Sequence, residues 1–394
     1  MKWPVVSLRE ALAGAEEFVD GDWVESQDQD PEGDVRLIQL ADVGDGAYID
    51  KSRRYLTSTK ARALRCTFLK PGDVMVARMP DPLGRACIFP GDSKDAVTVV
   101  DVCIIRPNQE QQDSRWLMYC LNAPTSRNQI AAYATGTTRS RISRSNLAKI
   151  RLALPPLAEQ RRIAEIMDLA EALRTKRRAA LAQLDSLTQS IFLDLFGDPI
   201  LNPKKWPRRS LSEIGTLERG ASKHRPRNAP ELLGGPYPLV QTGEVANCDG
   251  YIRHHSSTYS ELGLRQSRIW PAGTLCITIA ANIAKTGILT FDACFPDSIV
   301  GFRAENPATV EFVRTWLSFL QKSLEDTAPE SAQKNINLAL LRSLSVPVPP
   351  VDLQREFADR AAAVEKLKAT HRASLAELDA LFASLQSCAF RGEL

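Results

Sequence analysis

The chain has 394 residues, 44% hydrophobic and 25% charged, with 50 Lys and Arg against 47 Asp and Glu for a formal charge of +3. That balance excludes a disordered or collagen-like chain and allows two or three domains, each with its own core. It also excludes a uniformly basic surface, so contact with nucleic acid must come from local clusters. No apolar run approaches the roughly 18 residues of a membrane span, and Met1-Lys2-Trp3-Pro4 does not open a secretory signal; a cytoplasmic protein without membrane contact is expected. The cysteines are far apart with no Cys-x-x-Cys pair, so neither a disulfide frame nor a zinc site is expected. His254 and His255 are neighbours, and neighbours in a strand point to opposite faces, which argues against a shared metal.

In chain order, residues 20–34 are rich in Asp, Gly and Gln and predict an exposed loop. Segments 36–40, 73–77 and 98–105 are short, β-branched and turn-bounded, which predicts strands, while 116–121 reads as helical. From 157 to 195, Ile163, Ile166, Ala170, Leu173, Ala180, Leu184, Leu187 and Ile191 follow a three-four stagger. The spacing predicts one helix about 55 to 60 Å long, opened by Pro155-Pro156 and ended by Gly197-Asp198-Pro199. In the second half, 219–236 reads as a loop, 275–279 and 297–302 as strands and 310–320 as a helix. A second long helix carries Phe357, Val364, Leu367, Leu375, Leu378, Leu381 and Leu385.

The halves repeat each other. Pro155-Pro156-Leu157-Ala158-Glu159-Gln160-Arg161-Arg162 returns as Pro349-Pro350-Val351-Asp352-Leu353-Gln354-Arg355-Glu356, and Trp3-Pro4-Val5-Val6-Ser7-Leu8-Arg9-Glu10 as Trp206-Pro207-Arg208-Arg209-Ser210-Leu211-Ser212-Glu213. Two copies with so long a period make a duplicated unit rather than a solenoid. The expected fold class is α+β: two similar mixed α/β domains joined by two long helices that form an antiparallel coiled coil with pseudo-twofold symmetry. Candidate seam or partner-binding residues are Ile163, Ile166, Leu173, Leu184 and Leu187 on one helix, and Phe357, Val364, Leu367, Leu378 and Leu381 on the other. Arg177 and His371 interrupt the stripes at equivalent places, as a polar layer or hinge, or as side chains reaching for solvent.

Several segments, in this order, resemble the specificity subunit of type I restriction-modification systems. They are Gly72-Asp73-Val74-Met75-Val76-Ala77-Arg78 with Leu83-Gly84-Arg85, the loop Gly136 to Ser143, Leu154 to Gln160, the loop Ser331 to Leu338, and the tail Phe390-Arg391-Gly392-Glu393-Leu394. The second helix start, Asp352-Leu353-Gln354, departs from the family's more usual Glu, and the second half lacks a clear Leu-Gly-Arg. The resemblance implies target-recognition domains at 1–152 and 199–346, and conserved helical spacers at 153–198 and 347–394. It further implies binding of double-stranded DNA and docking of two methyltransferase (modification) subunits that bring S-adenosylmethionine, with restriction subunits adding ATP- and Mg-dependent translocation and cleavage. No cofactor or metal is expected in this chain itself. It has no Gly-x-x-x-x-Gly-Lys loop and no Asn/Asp-Pro-Pro-aromatic motif, so it is expected to be non-catalytic.

Candidate DNA contacts follow from local chemistry. Thr137, Thr138, Arg139, Ser140, Arg141 and Arg144, with Lys149 and Arg151, either mix phosphate-binding and base-edge donors or form a solvated basic surface. Gln333, Lys334, Asn335 and Asn337 lie in the corresponding loop of the second half, where Gln or Asn can pair with adenine, or form an ordinary polar turn. A second basic tract includes Lys204, Lys205, Arg208, Arg209, Arg219, Lys223, Arg225 and Arg227, either gripping backbone or serving as a charged linker. Arg78 and Arg85 either enter a groove or pair with an aspartate such as Asp73 or Asp81. The expectation is that each recognition domain reads one half of a bipartite, asymmetric site while the helices set the spacing, two readers on one DNA face lying about 34 Å apart. The alternatives are a coiled-coil scaffold with protein-binding globular domains, or the specificity part of another type of restriction-modification enzyme.

Overall fold

The computed structural model describes residues 3–80, 82–136, 139–224, 226–227, 229–280, 284–327 and 336–393. They fall into two units, Met1–Arg178 with Ala373–Leu394, and Ala179–Arg372. The Trp-Pro echo has the same mechanical meaning in each. Strand Val5–Ser7 pairs antiparallel with Arg151–Ala153, and strand Arg208–Ser210 with Ser345–Pro347. Ser7 then caps a short helix, its N–H donating to Glu10 Oε2 at 2.7 Å, just as Ser210 N–H donates to Glu213 Oε2 at 2.6 Å. This is the reciprocal capping box that Ser followed by Glu three residues later encodes.

In the first unit, Glu17–Asp20, Val102–Arg106, Val74–Ala77 and Ala86–Ile88 form a four-stranded antiparallel sheet. Beside it, Val35–Ile38 pairs parallel with Asp95–Thr98 and antiparallel with Tyr55–Leu56. The second unit builds a five-stranded sheet in the order Thr216–Arg219, Ile299–Arg303, Leu275–Thr278, Thr286–Leu289, Gly250–Ile252, the last pair parallel. A bulged pair, Leu233–Leu239 with Ser257–Tyr259, stands by itself. Both central strands are entered through a glycine at positive φ, Gly72 (+95°) and Gly273 (+83°), a conformation that only glycine adopts freely. Strand Leu233–Leu239 falls partly in the segment expected to be a loop, because Gly234, Gly235, Pro236 and Pro238 hide a pairing strand from propensity.

The long helices are Leu157–Phe196 and Val351–Arg391, of 40 and 41 residues. Their starts are fastened by a duplicated buried glutamine. Gln160 Nε2 donates to Pro155 O at 2.9 Å, and its Oε1 accepts from Asp113 N at 3.0 Å. Gln354 Nε2 donates to Pro349 O at 2.8 Å, and its Oε1 accepts from Thr309 Oγ1 at 2.8 Å. The repeated Pro-Pro-x-x-x-Gln motif is therefore a buried clamp, satisfied on both sides of the amide.

Within each unit the helical segments run antiparallel. In the first, Tyr119 donates to Asp168 at 2.8 Å, packs against Phe382 and accepts from Gln386, while further along Arg174 meets Asp379 at 2.6 Å. In the second, Lys368 meets Asp185 at 2.5 Å and Phe357 packs edge-on against Phe192. Of the expected seam residues, Ile163, Phe357 and Val364 are buried, and Ile166, Leu184 and Leu378 half-buried. Leu173, Leu187, Leu367 and Leu381 are instead exposed, at 51, 42, 53 and 50%. The buried stripe proceeds from Ile163 through Met167 and Ala170 to Arg174, which is only 17% exposed in its side chain. A reading that follows apolar letters alone steps off at that arginine onto the outer face. Arg177 and His371 both lie half-buried. Among the described residues no helix is long and apolar enough to cross a membrane.

Candidate nucleic-acid interface

The stretch 98–105, expected as one strand, is two. Asp95–Thr98 belongs to the small parallel pair and Val102–Arg106 to the large sheet, so the chain bends at Val99–Asp101 to change sheets. That bend is one wall of a cleft of about 660 Å³, also lined by Asp22, Trp23, Gln27 and Gln39. Trp23 is 69% exposed.

Beside the cleft rises a hairpin. Thr135 and Arg141 exchange two backbone hydrogen bonds of 2.9 and 2.8 Å. Gly136, at φ +98°, tightens it; a Cβ there would come within 2.6 Å of Arg139 O. Arg141 forms an ion pair with Asp101 on the cleft wall at 2.9 Å. Arg139 is exposed, with no hydrogen bond or ion pair to another described residue, and Ser140 is half-buried. Thr137 and Thr138 lie outside the described residues. Arg144 caps the base of the hairpin, donating to Phe18 O at 2.7 Å with Asp20 at 3.9 Å.

Arg78 and Arg85 are placed differently. Arg78 is 4% exposed, donates to Val100 O and pairs with Asp20 at 3.1 Å. Arg85 is buried and donates to the carbonyls of Val43, Leu40, Met79 and Pro82. Arg78 braces the bend that walls the cleft and Arg85 ties four loop carbonyls together, and reaching a groove would require each to abandon buried carbonyls. Asp73 is matched by Arg106, through bonds of 2.8 and 2.7 Å, and Asp81 lies outside the described residues.

In the second unit Ile279 N–H donates to Ser298 O at 3.0 Å, as Arg78 N–H does to Asp101 O at 2.9 Å. Ile336 N–H donates to Ile279 O at 3.1 Å, as Ile142 N–H does to Arg78 O at 3.0 Å. Gln333, Lys334, Asn335 and Arg225 lie outside the described residues. Asn337 caps the helix Leu338–Ser343, its side chain accepting from Leu340 N at 2.8 Å. Lys223 is exposed and bonds no other described residue. Much of the basic tract is engaged locally: Lys204 caps the carbonyls of Asp194 and Leu195, Arg208 donates to Ile200 O and Ser345 O, and Arg227 pairs with Asp297 at 2.6 Å. The cleft here, of about 200 Å³, is lined by Ser222, Arg227, Gln241, Thr242, Pro296 and Ser298.

A third echo escaped the sequence reading. Leu37-Ile38-Gln39-Leu40-Ala41-Asp42-Val43 matches Leu239-Val240-Gln241-Thr242-Gly243-Glu244-Val245. Asp42 accepts the N–H groups of Gln39, Lys51 and Ser52, each at 2.7 Å, and the Ser52 hydroxyl. Glu244 accepts Gln241 N at 3.0 Å, Ser256 N at 3.1 Å and the Ser256 hydroxyl. Burial works against ionisation of both carboxyls, but these hydrogen bonds outweigh it and hold each below its ordinary range. Asp22 behaves oppositely. Burial outweighs the hydrogen bonds from Thr67 N and Cys66 and lifts its carboxyl to about 6. The signal that would have found the echo is an apolar pair followed by Gln-x-x-Asp/Glu-Val, too short to register beside the longer repeats.

Each half thus repeats the same paired strands, capping box and glutamine clamp on a mixed α/β frame. A family model described as the type I restriction modification DNA specificity domain matches residues 67–183 and 203–380, and the chain belongs to that family. It is 21% identical over 383 residues to the putative type I restriction enzyme MjaX specificity subunit of Methanocaldococcus jannaschii, covering 93% of this chain and 87% of that relative. It is 26% identical over 337 residues to the type I restriction enzyme EcoBI specificity subunit of Escherichia coli, covering 77% and 70%. Among solved structures, the type I restriction-modification S subunit from M. genitalium aligns with a TM-score of 0.59 at 16% identity, over 99% of this chain and 96% of that one. A chain from a type I R-M system described for its complex assembly and conformational transition aligns at 0.57 and 19%, over 100% and 98%. At such identities the structural likeness speaks for the fold.

Proposed function

We propose that this type I specificity subunit reads a bipartite, asymmetric site in double-stranded DNA, one part per recognition domain, with the domains at 1–152 and 199–346. The supporting observation is that each unit carries a cleft at equivalent strand ends, beside a basic hairpin in the first unit, while the residues lining the two clefts differ. Unlike linings on like frames call for unlike half-sites. In the first unit Arg139 and Ser140 approach the bases or phosphates and Arg141 and Arg144 hold the hairpin; in the second, Lys223 and the segment carrying Gln333, Lys334 and Asn335 do so. The helices at 153–198 and 347–394 set the spacing and dock two modification subunits, for which the exposed Leu173, Leu187, Leu367 and Leu381 supply apolar anchors. The chain forms and breaks no bonds; methyl transfer, and any ATP-driven cleavage, belong to partner subunits in the cytoplasm.

The reading is tested by titrating salt against duplex binding by the chain with its modification subunit. Binding set by phosphate contacts weakens steeply and linearly in log affinity against log salt. Absence of binding at every salt concentration, with the partner present, would favour a protein-binding scaffold.

A further inference from the structure

The duplicated unit puts the same residue, a glutamine, at one matched position beside both clefts. Gln39 and Gln241 each follow a strand, Val35–Ile38 and Leu233–Leu239, and each gives its backbone N–H to the carboxylate three residues on, Asp42 or Glu244. The carboxylate also ties down a serine further along, Ser52 or Ser256. The backbone of the glutamine is thus fixed by the carboxylate.

Both amides border the clefts. Gln39 shares its cleft with Trp23 and with Asp101, which holds Arg141 of the basic hairpin. Gln241 shares its own with Ser222 and Ser298, and Ser298 occupies the place of Asp101, accepting the matched backbone bond. Gln39 Nε2 is buried in the cleft wall without a hydrogen-bond partner, and Gln241 Nε2 has only a 3.5 Å bond to Ser257 Oγ, so neither Nε2 gives up a strong bond if its side chain turns out into the cleft. A side-chain amide offers one donor and one acceptor side by side, the pattern complementary to the adenine edge in the major groove.

We propose that Gln39 and Gln241 are specificity-determining residues, each pairing with an adenine in the half-site read by its own unit. This rests on the DNA-reading function proposed above. Both half-sites then contain an adenine read in the same way, and they differ elsewhere because the cleft neighbours differ: Trp23, Gln27 and Asp22 in one, Ser222, Arg227 and Thr242 in the other.

The test is selection of bound sequences from randomised duplexes by the full chain together with its modification subunit. Gln39→Ala lowers discrimination for adenine at one position of one half-site by about ten-fold or more and leaves the other half-site unchanged; Gln241→Ala does the converse. Gln39→Glu and Gln241→Glu keep the backbone clamp and move the preference at that position toward cytosine, whose exocyclic amine donates to a carboxylate. Unchanged motifs in the folded, DNA-binding variants overturn the proposal, as does loss of preference in both half-sites from one substitution. A wild-type chain that binds duplexes without selecting any bipartite motif overturns the underlying DNA-reading function instead.

Discussion

At the scale of single residues, burial divides arginines that the sequence presents alike. Arg139 is exposed on the hairpin, while Arg78 is paired with Asp20 beneath it. Arg139→Ala is expected to leave stability within about 0.5 kcal/mol and to reduce the salt slope of DNA binding by about one. Arg78→Ala is expected to cost about 1 to 3 kcal/mol in folding, because it strips partners from Val100 O and Asp20. Spacing in the sequence could not separate the two, since the difference lies in which sheet covers them. Asp22 carries a pH signature. Its folded value of about 6 lies above the ordinary 3.8, so the folded state holds the proton more tightly and stability falls as pH rises between those values. Asp22→Asn should therefore be more stable than wild type at pH 7 to 8, with the gap in urea midpoints closing as pH falls to about 4. A gap independent of pH would contradict this assignment.

At the scale of elements, the long helices were legible in extent but not in face. The Pro-Pro start and the Gly-Asp-Pro stop bracket the first helix, Leu157–Phe196, as expected. The apolar stripe was misaligned because the buried face carries charge. Glu171, Arg174, Arg178 and Asp379 form one network and Glu365, Lys368, Arg372 and Asp185 another, the same four positions of the repeat in each unit. In the second network Asp249 also pairs with Lys368 and Arg372. Asp379 is partly exposed, so Asp379→Ala is expected to cost no more than about 1 kcal/mol, and a double-mutant cycle with Arg174→Ala should recover a coupling energy. Strict additivity would deny the pair a role. The aromatic packing near the other helix end weighs more: Phe192 touches the rings of Phe196, Phe312, Phe319 and Phe357. Phe192→Ala is expected to cost about 3 to 5 kcal/mol, read as a lower urea midpoint. The strand break at Val99–Asp101 was invisible for a related reason, since both pieces are β-branched and only their different sheets separate them.

At the scale of the whole molecule, duplication was the feature that the sequence displayed most openly. Its long echoes mark structural devices, the capping boxes at Ser7 and Ser210 and the buried clamps at Gln160 and Gln354. Whereas the hairpin closed by Thr135 and Arg141 is one contiguous stretch marked by its basic residues, the clefts proposed to read DNA are assembled from short segments distant in sequence, which no local pattern joins. Gln39 and Gln241 belong to an echo of that short kind. Under the proposed function, the two recognition domains read two unlike half-sites for adenine methylation by a partner. The decisive experiment maps methylated adenines across the genome of cells that carry this chain with its modification subunit. The expected result is a single asymmetric motif in two parts with an unread spacer, lost when the chain is deleted. A continuous motif, a palindromic one, or methylation that persists without the chain would contradict it.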